Sequence, residues 1–134
     1  MTRHDNWPKL LASFVEERRS KPFAWGQNDC CLFAADWINR ACGIDLAADL
    51  RGRYSSALAA TRILAGLGGV LQVAEKLGHL RPITISTTQR GDVVAFAMQG
   101  GHALGVCLGD VCALVGKSGL VFPRTLDAEA AWKL

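Results

Sequence analysis

Trp25-Gly26-Gln27-Asn28-Asp29-Cys30-Cys31-Leu32-Phe33 joins a turn-rich loop to the start of an apolar helix. Asp29 is the predicted N-cap of a helix over 30–41, with Gly43 just past its end. Phe33, Ala34, Trp37 and Ala41 form its core stripe. Cys30 then stands in the first turn, where unpaired backbone N–H groups and the positive end of the helix dipole favour a negative charge. Such a position lowers a thiol pKa, and the thiolate is the form that attacks an amide carbonyl. The Cys30 N–H would face the oxyanion formed in that attack. The Asp29 charge opposes a neighbouring thiolate, but a cap directs that charge onto backbone donors.

Cys31 competes as the reactive thiol. One helical step turns a side chain by about 100°, which aligns Cys31 with Ala34, Ala35, Ile38 and Cys42 as core. A thiolate also needs a group that exchanges protons near neutral pH, and histidine suits that best. His4 lies near the N-terminus, and His79 follows the helix stop at Gly78 and is expected in solvent. His102 opens a strand directly after Gly100-Gly101, where the backbone can bend and a second chain can approach. Cys30 with His102 is the pair that points to chemistry. A structural histidine is the competing reading. No metal is expected, because the cysteines lack C-x-x-C spacing and adjacent thiols rarely share one zinc.

Upstream, Trp7, Leu10, Leu11, Phe14 and Val15 follow helical spacing, predicting a helix over 5–19 capped by Asp5 or Asn6. Residues 44–54 read as irregular. Ser55 or Ser56 opens a third helix through Leu64, and 70–77 forms a fourth. After Pro82 the pattern becomes alternating and turn-punctuated. Strands are predicted near Ile83 and Ile85 and over 93–98, 102–108, 111–115 and 120–122. The segment 127–133 reads as a helix or an edge strand. Helices first and antiparallel strands second indicate an α+β domain. The 134 residues fit one domain, 1–134.

The net charge is +3, from 15 Lys and Arg against 12 Asp and Glu. The densest basic cluster, Arg18, Arg19 and Lys21, reads as a solvated helix end, and aromatics do not interleave with it, so no nucleic-acid partner is expected. No apolar stretch reaches membrane-span length. The N-terminus lacks the apolar core of a signal peptide, so synthesis in the cytoplasm is expected. The five cysteines are then expected as thiols.

These residues resemble a known family. Phe23-Ala24-Trp25-Gly26 followed by Asp29-Cys30 resembles the nucleophile motif of NlpC-type papain-like cysteine peptidases. Gly91-Asp92-Val93-Val94-Ala95-Phe96 resembles that family's Gly-Asp strand. Gly101 to Gly109 resembles its histidine strand, with one extra residue between His102 and Gly105. The order along the chain is the family's. The Asn28-Asp29-Cys30 start and the Ala131-Trp132 ending are similar to small phage and gene-transfer-agent tail peptidases. The resemblance implies a papain-like α+β fold with no cofactor. It implies hydrolysis of peptide or isopeptide bonds in bacterial cell-wall stem peptides, commonly a γ-D-glutamyl link, with possible phage tail partners and a virion location.

Two departures favour a second reading, a tail assembly protein that kept the fold and lost the chemistry. The family has tyrosine where this chain has Phe23, so a hydroxyl is missing. The residue that should orient the imidazole from the next strand is also missing. With Gly109-Asp110 as a two-residue turn, His102 faces Lys117, which cannot accept its N–H. A one-residue slip brings Ser118 or Gly116 there, and Ser118 could accept. Gln27 and Asn28 are candidate oxyanion donors, with turn residues as the alternative reading.

Overall fold

The computed structural model describes residues 1–78 and 80–134, with only the helical backbone for 76–78; the solvated position expected for His79 lies outside the described residues. Four helices come first: α1 (Trp7–Arg18), α2 (Cys30–Cys42), α3 (Ala57–Gly66) and α4 (Val70–Gly78). Six strands follow: β1 (Arg81–Ile83), β2 (Val93–Met98), β3 (Gly101–Cys107), β4 (Cys112–Gly116), β5 (Gly119–Val121) and β6 (Ala130–Lys133). They form one antiparallel sheet in the order β1-β6-β2-β3-β4-β5.

Helix α2 lies centrally on this sheet. One side of it packs Cys31, Ala34 and Ile38 on Val93, Ala95, Leu104 and Trp132. Another packs Phe33, Trp37 and Ala41 on Val106, Ala113 and the Leu11, Phe14 and Val15 face of α1. Trp37 is fully buried, and its indole N–H donates to the Gly91 carbonyl at 2.9 Å, tying the helix to the entrance of β2. The neighbouring Asp92 is also fully buried and accepts from Leu134 N, Arg3 Nη2 and Gln89 N, so it fastens both chain termini to the same strand.

Three local expectations are corrected. Asn6 precedes α1 without a side-chain cap bond, and Pro8 in the first turn leaves one fewer orphan donor there. Ile85 sits in a single 3-10 turn, Ile85–Thr87, rather than in a strand. The segment 127–133 is neither helix nor edge: β6 lies between β1 and β2, with Ala131 and Trp132 buried on opposite faces. A strand covered on both faces loses the alternation that would distinguish it in sequence.

Candidate active site

The loop before α2 is fixed by its own polar groups. Asn28 is fully buried. Its amide nitrogen donates to the Lys21 and Pro22 carbonyls at 3.2 and 3.0 Å, and its oxygen accepts from Arg18 at 3.2 Å. Both amide hydrogens are therefore committed to the loop, and Asn28 has none to offer an oxyanion. Gln27 is exposed and lines a groove of about 320 Å³ with Trp25, Arg53 and Tyr54. Gly26 has φ 77°, and a Cβ there would meet the Tyr54 carbonyl oxygen at 2.1 Å. Only glycine allows the 43–55 segment to close on this loop.

Asp29 is the N-cap the sequence predicts. Its Oδ1 accepts from Leu32 N at 3.0 Å, while Oδ2 accepts from Gly26 N at 2.9 Å and the Tyr54 hydroxyl at 2.7 Å. These donors offset the cost of taking the carboxylate out of water.

Cys30, partly exposed, follows in the first turn. Its pKa lies below the ordinary thiol value. The Cys31 thiol donating to its sulfur is the main cause, backbone hydrogen bonds from Leu104 and Cys31 add to it, and burial and the Asp29 charge oppose it. Cys31 is buried among core residues, and its own pKa is pushed well up by the same bond and by burial. Of the two adjacent thiols, Cys30 is the one favoured as thiolate. Leu104 is available to it because it lies beyond the β3–β4 pairs, Val106↔Ala113 and Cys107↔Cys112.

His102 lies two residues before Leu104 on β3 and therefore on the same face of the sheet, roughly 6–7 Å along the strand. That face carries α2. His102 and Leu104 thus share the sheet face on which α2 packs. His102 Nε2 lies 3.1 Å from Glu129 Oε2. With Nε2 engaged by a carboxylate, Nδ1 is the ring nitrogen outside that contact.

The register expected for the β3–β4 hairpin is the one observed, since both paired positions sum to 219. Lys117 and Ser118 nevertheless do not reach His102 by that ladder. Pairing ends before them, and both lie exposed in the β4–β5 turn. The acceptor comes from the other direction, across β2. Glu129 N donates to the Ala95 carbonyl at 2.8 Å, which places Glu129 at the start of β6. The sequence places the partner of His102 on the next strand, β4, and so does not reach Glu129. The only available signal was β6 pairing with β2, a long-range contact.

His4 is placed elsewhere. Its backbone N–H donates to the Ala41 carbonyl at 2.7 Å, at the C-terminal end of α2. That end is about 18 Å from Cys30, given the rise of the 13-residue helix. Arg18, expected in solvent, turns inward and bridges Asp36 at 2.6 Å; Asp36 also holds Arg51 at 2.6 Å. Among the described residues no group of three His, Cys, Asp or Glu side chains gathers as a metal site. No helix there is long and apolar enough to cross a membrane.

Trp25, which packs edge-on against Phe23 at 4.6 Å, borders both the groove beside Tyr54 and a second groove of about 430 Å³. The second groove is lined by Leu64 and Val70 from the helices and by the Met98–His102 hairpin. Trp25 thus stands between the groove at the loop before α2 and the groove that His102 lines.

A family model described as "Domain of unknown function (DUF6950)" matches residues 2–134. No curated protein matches the chain. Among solved structures, the crystal structure of the NlpC/p60 domain of the peptidoglycan hydrolase SagA aligns with a TM-score of 0.62. The alignment covers 94% of this chain and 97% of that one, at 13% identity. The α+β papain-like fold of NlpC type, expected from the sequence, is the fold of this chain.

Proposed function

The chain belongs to the DUF6950 family, whose description assigns no activity, and from that premise we propose that it is a cysteine amidase acting on peptide or isopeptide bonds of bacterial cell-wall stem peptides. The observation that carries the reading is a helix-opening Cys30 with its thiol pKa below the ordinary value, together with a His102 that lies 3.1 Å from a carboxylate on the sheet face carrying α2; that the two act in one cleft is part of the proposal. The likeness in fold to a peptidoglycan hydrolase domain supports the substrate class.

In this reading the Cys30 thiolate adds to the carbonyl carbon, and the oxyanion is met by the Cys30 backbone N–H, with Gln27 as a side-chain donor. His102 gives the proton on Nδ1 to the departing amine as the C–N bond breaks, leaving an acyl thioester on Cys30. A water then attacks the thioester. His102 takes its proton, and the carboxylic acid leaves as the thiolate is restored. Glu129 accepts from Nε2 and holds one ring orientation throughout. Its role is that of a positioning residue.

The second reading, an inactive tail assembly protein, rested on the absent third residue and on Phe23. Glu129, 3.1 Å from His102 Nε2, weighs against the first of these objections. Association with a phage tail rests on the Asn28-Asp29-Cys30 start and the Ala131-Trp132 ending alone, and Trp132 has a structural use as a buried core residue.

Incubation of wild-type protein and Cys30→Ala with purified cell-wall peptides tests the proposal. New amino termini from wild type alone are expected. Equal product from both would overturn it.

A further inference from the structure

Tyr54 is the single tyrosine of the chain. It comes from an irregular segment far in sequence from the nucleophile, yet its hydroxyl sits 2.7 Å from Asp29 Oδ2, on the residue immediately before Cys30. The placement is built rather than incidental. Arg51, three residues earlier, bridges Asp45 at 3.0 Å and Asp36 of α2 at 2.6 Å, which anchors the segment to the nucleophile helix. The Tyr54 backbone then closes on Gly26, where no side chain would fit. Burial and the Asp29 carboxylate hold the phenol protonated far above its ordinary range, so it can only donate to that carboxylate.

Asp29 has two duties that conflict. Its charge caps α2, which positions Cys30, and the same charge opposes the neighbouring thiolate. The other titratable group acting on Cys30 is Cys31 on α2, which favours the thiolate; His102 on β3 has Glu129 as its side-chain partner. The α3 and α4 side chains packed on this cluster, Leu64, Val70 and Leu71, are apolar. A donor aimed at Asp29 Oδ2 draws the carboxylate charge away from the sulfur while Oδ1 continues to cap. We infer that Tyr54 is a positioning residue for the nucleophile, its hydroxyl hydrogen-bonding the outer oxygen of Asp29 so that the cap and the Cys30 thiolate can coexist. It supplies, from another part of the chain, an aromatic hydroxyl at a nucleophile loop that has phenylalanine at position 23. The inference rests on Cys30 being the reactive thiol, but not on any substrate.

The experiment is the pH dependence of iodoacetamide alkylation, with Cys30 resolved by peptide mass spectrometry. Tyr54→Phe is expected to raise the Cys30 midpoint by roughly half a pH unit or more, about a threefold slower reaction on the acid side. Asp29→Asn, which keeps an N-cap of similar strength, is expected to lower it. In the Asp29→Asn background the added Tyr54→Phe change should have no further effect. A Cys30 profile unmoved by Tyr54→Phe, or moved equally with and without the Asp29 charge, overturns the inference. If Tyr54→Phe does not fold, Asp29→Asn decides alone, and an unchanged or raised midpoint refutes it. An ordinary wild-type midpoint would count against the proposed activity, whereas the Tyr54 inference depends only on the differences.

Discussion

The two walls of the proposed site are built differently. On the nucleophile side, Asn28 and Asp29 are buried and each makes three hydrogen bonds to its own loop, to the helix or to a neighbouring segment. On the base side, His102 follows two glycines at a strand end, and its recorded side-chain partner is Glu129, with relative side-chain exposures of 27% and 52%. One wall is rigid and dry, and the other is open to solvent and lightly held. The contrast suits the division of labour. A thiolate needs fixed donors to exist at neutral pH, while a general acid and base must reach first a leaving amine and then a water.

The contrast can be broken from either side. The largest effect belongs to Cys30→Ala, which should abolish peptide hydrolysis, a loss of at least about 10³-fold in kcat, with unchanged thermal stability. His102→Ala should follow with roughly 10²–10⁴-fold. On the rigid wall, Asp29→Ala should cost about 2–3 kcal/mol in chemical denaturation, because it removes a cap and orphans donors in a buried loop. On the open wall, Glu129→Gln should leave denaturation midpoints unchanged and lower kcat by up to about tenfold with little change in KM. A loss of stability there, without a kinetic effect, would show that the two walls are not divided as described. The smallest expected effect is that of Ser118→Ala, which should alter neither rate nor stability, because its side chain is exposed in a turn beyond the β3–β4 pairing.

How much of this was legible in the sequence follows the same division. The Asp29 cap, the Gly43 stop in the left-handed region at φ 75°, and the inward face of Cys31 all depend on residues within one helix, and the sequence predicts each of them. The register of the β3–β4 hairpin was legible too, because a two-residue turn fixes it. Its consequence for His102 was not, since the ladder frays after Val106 and a register says nothing about where pairing ends. Glu129 and Tyr54 stayed hidden for a related reason. Each reaches the site through a contact 25 or more residues away in sequence, and no local pattern marks such a residue. Segment 127–133 misled because burial on both faces of β6 erased its alternation. Arg18 misled because a charged helix end looks the same whether it meets water or, as here, Asp36.

The most direct test of the account asks whether Cys30 and His102 act on each other. It compares the alkylation midpoint of Cys30 in the wild type with that in His102→Ala, resolved from the other thiols by peptide mapping. The account predicts a wild-type midpoint clearly below the ordinary thiol value of about 8.5, and a rise when the imidazole is removed, because a neighbouring imidazolium favours the thiolate. A wild-type midpoint at the ordinary value, unmoved by the loss of His102, would contradict it.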